Sequence, residues 1–490
     1  MKYLKIPSFI TYKKIVNNNF SLSSSQYRVL LKNSDVKFEN FNFFLEEKLT
    51  RKFLGNEIGS NNYMIKSNYY FMRTKALQSY SYIPVFSDNS LLPMLPSSFS
   101  GIGLKKGDLL ISKDGNIGET ILVDKDYPNI MVSGAIYNLP VKEKYKKYIL
   151  AITKNLFFRE QLNVLVPKGA TLRHAKTLFL KCLIPIPTEE NLEIINRLVF
   201  AIVEMERKIK ELFDKTLRII DEELENGKNN NNFKFYNPNF LELTNKNRLD
   251  TGIYCEKYKS YMFKIRNYKN GYSNIQELDM KLSRGQNLQV SNIGKSVYTN
   301  KKYSNFYQLI LPKYLSKYGT VNTFSYLGNI NKLKTLEKGD IIFGAEGFEK
   351  GRSIVVIDEL KKAITNIHGI TIKQNKKHDL NKGIFVKQIL DWYREKGLID
   401  LIATGGNGGS ISISYWEELI FPDFSINKKI EMALLYYNKN CENSISINDI
   451  NIDKWKEKII EYIKEAGIVN LDNMIKELKE YLNNYIEKML

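Results

Sequence analysis

The feature that most limits what this chain can fold into is that it states one pattern twice. Residues 106–123 read KGDLLISKDGNIGETILV, and residues 338–356 read KGDIIFGAEGFEKGRSIVV. Gly107-Asp108 returns as Gly339-Asp340, Gly115 as Gly347 and, after one inserted residue, Gly118 as Gly351. Farther on, GATLRHAKTLFLKCLIP (169–185) faces GNGGSISISYWEELIFP (406–422), so that Gly169 answers Gly406, Phe179 answers Trp416 and Pro185 answers Pro422. Matched features in one order, with slowly growing offsets, indicate two copies of a domain that differ by loop insertions.

The local grammar is that of small twisted β domains. Each Lys-Gly-Asp stands at a turn before an apolar run, LLIS or IIFG. A glycine-rich turn and a β-branched strand, ETILV or RSIVV, follow. Through 63–86 and 298–326 tyrosine and phenylalanine interleave with lysine, a composition suited to edge strands.

Helix follows each copy. After Ile-Pro-Ile-Pro, Thr188 is a candidate N-cap, with Asn191 at the third helical position. Leu192, Ile195, Val199, Ile202, Met205, Ile209, Leu212, Thr216 and Ile219 then step by threes and fours, a stripe of coiled-coil type. About 35 residues at ~1.5 Å each make a rod of roughly 50 Å, ended by Gly227 and the asparagine run 229–232. The second copy leads into a short helix at 426–440 and further helical patterns at 453–466 and 471–489, the last striped by Leu471, Met474, Ile475, Leu478, Leu482 and Ile486. The expected fold class is α+β: two repeated mixed α/β domains, 1–187 and 229–423, separated by long helices, 188–228 and 424–490, that form an antiparallel coiled coil. Such a helical pair would hold the domains apart about a pseudo-two-fold axis, the geometry that DNA-binding dimers reach with two chains. Its central helix would set the gap between two half-sites.

Charge narrows the partners. Among 490 residues, 73 are Lys or Arg and 53 Asp or Glu, a formal charge of +20 that favours a polyanion. The abundance of Lys, Asn, Ile and Tyr also fits A/T-rich coding, which raises lysine without function. No stretch approaches the ~18 apolar residues of a membrane span, and the opening MKYLKIPSFITYKKIV lacks a signal-peptide pattern, so a cytoplasmic protein is expected. Three scattered cysteines, Cys182, Cys255 and Cys441, fit neither a disulfide framework nor paired metal ligands. With His174, His368 and His378 as the only histidines, no metal site and no catalytic triad is expected.

Domain, helix, domain, helix, with GDLLISKDGNIGETILVD in the first copy and the stretch from Gly169 to IPIPTEENLEII, resembles the specificity subunit of type I restriction–modification systems, over nearly the whole chain. In the second copy GDIIFGAEGFEKG keeps the pattern, and RLDTGIYCEKY (248–258) resembles a segment that opens a recognition domain. Thr188 stands where the family usually has proline, and FPDFSINKK keeps only the proline of its signature. The resemblance implies two target recognition domains, each reading half of a bipartite DNA sequence. It also implies a non-catalytic chain that docks methyltransferase (modification) subunits, two in number, and restriction/motor subunits. No cofactor is expected in this chain; S-adenosylmethionine, ATP and Mg would sit on the partners.

Apparent catalytic motifs are incomplete. FSGIG (99–103) has the form of a methyltransferase cofactor turn, but no catalytic Asn/Asp-Pro-Pro-aromatic tetrapeptide accompanies it. GKS (294–296) ends like a P-loop, yet Gln289 stands where its first glycine belongs. Pro422-Asp423 with Glu477-Leu478-Lys479 mimics a nuclease core, but the latter three lie in a helical pattern.

Phosphate contacts give affinity and base-edge contacts give specificity. The candidate DNA-binding residues of the first copy are Arg73 and Lys75, then Lys113 and Asn116 on the Gly115 turn, then Lys168, Thr171, Arg173 and His174. In the second they are Arg352, Asn407 and Ser410, the last two in a glycine-rich loop suited to close backbone approach. A solvated hairpin tip and a floppy loop are the plain alternatives for these two features. Leu192, Ile195, Val199, Ile202, Ile209 and Leu212 are the candidate subunit-docking positions. Two other readings stay open: the recognition subunit of a type II-like assembly whose partner fuses nuclease and methyltransferase, and a non-enzymatic RNA-binding or helical adaptor.

Overall fold

The computed structural model describes residues 2–17, 20, 22, 24–31, 35–101, 103–166, 176–229, 231–358, 362–376, 378–406, 408–441, 447, 450 and 454–490. It divides into two compact units. The first comprises Met1–Lys208, Asn443–Lys464 and Leu471–Leu490, the second Ile209–Glu442 and Glu465–Asn470.

The larger sheets of the two units share the same three-stranded cores, and the pairing confirms the repeat. The hairpin Leu109–Ser112/Thr120–Leu122 aligns Leu109 with Leu122, and its counterpart Ile341–Gly344/Ser353–Val355 aligns Ile341 with Val355. Ile136–Asn138 and Gly369–Gln374 add to the same edge of the two hairpins. The turn before each hairpin is built identically: the backbone N–H of Lys105 donates to Asp108 Oδ2 at 2.8 Å, and that of Glu337 to Asp340 Oδ2 at 2.9 Å. Gly107, Gly115 and Gly118 have positive φ, as do Gly339, Gly347 and Gly351. The two prolines are equivalent as well. Pro185 pairs with Phe38 and Pro422 with Tyr272, each joining the last strand of the domain to a strand near its start.

The apolar runs LLIS and IIFG are buried at every position, because each strand is covered on both faces. One core gathers Met72, Leu77, Leu104, Leu110 and Val123, the other Ile310, Leu315, Leu336, Ile342 and Val356, in the same sequence order. Each such side chain contributes about 1.5–3 kcal/mol by burial. Phe179 and Trp416 are also equivalent: both lie buried on 3-10 turns, against Tyr137 at 6.2 Å and Phe343 at 5.1 Å respectively.

One expectation is corrected. Tyr70–Met72 and Tyr307–Leu309, from the aromatic and lysine-rich segments, are interior strands, each paired on both sides. Their aromatic and aliphatic side chains feed the core, and the interleaved lysines fall on the flanking turns. Ser296–Thr299 is the edge strand of this set, with Val297 and Tyr298 exposed.

Helix Glu189–Asn226 runs from the first unit into the second. Thr188 caps it as expected, its Oγ1 accepting from Asn191 N at 3.2 Å, and Glu189 and Glu190 favour the positive end of its dipole. Within the first unit the Glu206 carboxylate accepts from Tyr82 N at 2.8 Å and Ser81 Oγ at 3.0 Å, and pairs with Lys479 at 2.6 Å. Within the second, Asp221 accepts from Trp392 Nε1 at 2.9 Å and pairs with Lys396 at 2.7 Å. The distal helices are Ile426–Tyr436, Trp455–Glu465 and Ile468–Met489. Among the described residues no helix is long and apolar enough to cross a membrane. The cysteines are free thiols, and burial pushes the Cys182 thiol up to about 12.

RLDTGIYCEKY forms a clasp. Buried Arg248 makes two bonds to Asp250, at 2.8 and 2.7 Å, and one to the Ile402 carbonyl at 2.9 Å. Its guanidinium lies 4.2 Å from the Tyr415 ring. A side chain at Gly252 would strike the Leu401 carbonyl. The segment therefore ties the start of the second domain to its end.

Candidate nucleic-acid interface

The sequence candidates of the first unit come together where two turns meet. The hairpin tip Lys113–Gly118 is closed from inside: Ser112 Oγ bonds the Asn116 carbonyl, and Gly118 N donates to Ser112 O at 2.8 Å. Asn116 Nδ2 reaches the Leu77 carbonyl at 3.3 Å, and Gly115 packs beside Thr74. This holds the tip against the 3-10 turn Thr74–Ala76. Arg73 and Lys75 project there as exposed cations. Lys113 is half-buried, with Asp114 as its 3.4 Å ion partner. The exposed cations of the turn thus adjoin a glycine-backed tip that carries Lys113 and Asp114.

Behind it, Arg159 donates to the Ile117 carbonyl at 3.2 Å and pairs with Glu119 at 2.6 Å. Lys154 donates to the Gln78 carbonyl at 2.6 Å and stands 3.4 Å from Glu119. Burial pulls the Lys154 ammonium down to about 7, against the opposing pull of Glu119. These groups support the tip and are not available to a ligand.

The second unit repeats the scaffold with other side chains. Its 3-10 turn Pro312–Tyr314 follows the equivalent strand, and Lys313 is exposed there, in the place of Lys75. The carbonyl that Asn116 holds in the first unit, Leu77, corresponds to Leu315. Here Arg352 holds it, at 2.9 Å, while pairing with Glu349 at 2.5 Å. Arg352 is thus engaged in the scaffold. Lys350 is engaged too, on the Gly408 carbonyl at 2.7 Å and with Asp400. A cleft of about 890 Å³ opens between the tip, the Lys313 turn and the glycine turn, with Ser410 in its wall beside Gly405, Gly406 and Gly409. Exposed His368 lies 2.6 Å from Glu346, which also meets Arg284 at 3.2 Å.

Lys168, Thr171, Arg173, His174 and Asn407 lie outside the described residues. Leu192, Ile195, Val199, Ile202, Ile209 and Leu212, the candidate docking positions, are all buried within the chain, so their side chains anchor the helix. Lys313, His368 and the exposed Phe348, which line this cleft, were not singled out in the sequence. The signal for Lys313 was present, since Lys-Ala-Leu at 75–77 returns as Lys-Tyr-Leu at 313–315. Of the apparent motifs, GKS has its serine at the start of strand Ser296–Thr299, where a P-loop would need a helix.

No family model matches the chain, and no curated protein does. Solved structures do. The type I restriction–modification S subunit from M. genitalium is similar at a TM-score of 0.38 and 12% identity, over 92% of this chain and 98% of that one. A chain of a type I R-M system is similar at 0.28 and 11%, over 94% and 98%. The HsdS subunit from Thermoanaerobacter tengcongensis is similar at 0.27 and 11%, over 93% and 96%.

Proposed function

We propose that this chain is the DNA-specificity subunit of a type I restriction–modification complex, reading a bipartite duplex target without chemistry of its own. The observation that carries this reading is the duplication itself. Two domains share one register, and each pins a glycine-backed hairpin tip against a lysine-bearing turn while the side chains at the tip differ. A common scaffold with divergent tips is what a protein needs to read two unlike half-sites with one docking geometry. The excess of basic residues supplies phosphate affinity. Two modification subunits and the restriction/motor subunits would dock on the chain, bringing S-adenosylmethionine, ATP and Mg.

The test is a segment swap. Residues 1–187 are replaced by those of a relative with a known target, and the methylome is read in a host carrying the whole complex. One half of the methylated sequence should change and the other stay. A mismatch within a half-site should weaken binding by about 1–3 kcal/mol. If both halves change, or neither does, one domain does not read one half-site. Methylation by the isolated chain would contradict its non-catalytic role.

A further inference from the structure

The tip of the second unit carries a residue that the scaffold does not use. Phe348 follows Gly347 as Asn116 follows Gly115, yet the Asn116 side chain holds the neighbouring carbonyl and in the second unit Arg352 does so. Phe348 is left 81% exposed.

A single exposed phenylalanine is ordinary on a protein surface. Its mounting sets this one apart. Gly347 N donates to the Gly409 carbonyl at 3.1 Å. Lys350 Nζ grips the Gly408 carbonyl at 2.7 Å, and Gly408 approaches so closely that a side chain there would lie 2.8 Å from Phe348 N. The backbone on both sides of the ring is therefore fixed, while the ring itself faces a cleft of about 890 Å³ whose glycine wall leaves room for a large planar group. Lys313 is an exposed cation on the same cleft, and the cleft's two carboxylates are engaged, Glu346 by Arg284 and Glu349 by Arg352. An apolar side chain on a fixed backbone beside an exposed lysine is an arrangement that inserts between base pairs while the cation holds the phosphate backbone.

We propose that Phe348 is an apolar wedge that inserts at, and partly unstacks, one base step of the half-site read by the second unit. This rests on the DNA-reading function proposed above. It makes the two halves of recognition physically different, with polar contact by the first unit and deformation by the second. A flexible pyrimidine–purine step is the favoured position, because it unstacks most easily.

The experiment uses the full chain and a duplex that it selects from a randomised pool, with 2-aminopurine placed at successive positions. Wild type should brighten the probe at one step of one half-site. Phe348→Ala should abolish the brightening and weaken binding roughly ten- to a hundred-fold, with an unchanged melting temperature, and Phe348→Trp should restore both. If Phe348→Ala binds and brightens as wild type does, or if no position brightens with wild type, the wedge is wrong while DNA reading stands. If wild type selects no duplex at all, DNA reading falls and the wedge with it.

Discussion

The two hairpin tips share their flanking strands and turn glycines and almost no side-chain chemistry. In the first unit Arg73 and Lys75 are exposed beside the 3-10 turn to which the Asn116 amide ties the tip that carries Lys113. In the second, the counterpart of Arg73 is Leu311, the tie is made by Arg352, and the tip offers Phe348 over a glycine-walled cleft. The two larger sheets of each unit differ in the same sense: three strands each in the first unit, four each in the second, where Met280–Arg284 and Ser296–Thr299 extend the edges. What is held constant is the turn, the register and the buried aromatic. What varies is exposed. The lesson is that one position serves structure or contact according to what its neighbours already do.

The largest effects should come from the constant part. Phe179→Ala and Trp416→Ala each remove a fully buried ring and should destabilise their own unit by about 3–5 kcal/mol, measured by denaturant unfolding of the full chain. Unequal costs would break the equivalence. Trp416 Nε1 is buried without a partner, so Trp416→Phe, which installs the first unit's solution, should cost less than about 1 kcal/mol.

The glycine at the far end of the tip sharpens the comparison. Gly118 and Gly351 both have positive φ, which costs a side chain about 1–2 kcal/mol. A Cβ at Gly118 would lie 2.2 Å from Leu162 Cδ2, whereas at Gly351 its nearest neighbour is 3.1 Å away. Gly118→Ala should therefore destabilise by roughly 2–4 kcal/mol and Gly351→Ala by roughly 1–2 kcal/mol. Equal losses would show that Leu162 moves aside.

A smaller difference is one of pH. Lys154 supports the first tip from behind, and Arg394 supports the second, on the Lys317 carbonyl at 2.7 Å. The folded value for Lys154, about 7, lies below its ordinary 10.5, burial being the cause. Between those values the unfolded chain binds more protons, so the first unit should gain stability as pH rises from about 7 toward 10.5. Arginine stays charged throughout. Melting curves of wild type and Lys154→Met should diverge over that window, and parallel curves would mean that Glu119 keeps the lysine charged.

Smallest in stability, and distinct in binding, are the exposed cations. Arg73→Ala, Lys75→Ala and Lys313→Ala should leave melting unchanged and each reduce the slope of log affinity against log salt by roughly 0.9. Arg352→Ala should leave that slope alone and destabilise the second unit by about 1–3 kcal/mol. The reverse pattern would mean that Arg352, and not Lys313, faces the phosphates.

Much of the fold was written in one dimension. Turn glycines, the aspartate after each, the alternation of apolar run and turn, and the helical stripe depend on local conformation and on period, so the repeat, both hairpins and the capped helix Glu189–Asn226 were legible from spacing alone. The candidate surface was legible only in part. Arg73, Lys75, Lys113 and Asn116 could be named because polar residues on a glycine turn stand out in sequence, but that they meet at one place follows from a side-chain bond across two turns. Arg352 looked like a free cation beside the same turn. Whether a guanidinium points to solvent or to the Leu315 carbonyl depends on a neighbour 37 residues away in sequence, and no local pattern encodes that distance. The helix stripe shows the same limit: its period marked a buried face, and only the tertiary structure decided that this chain itself does the burying.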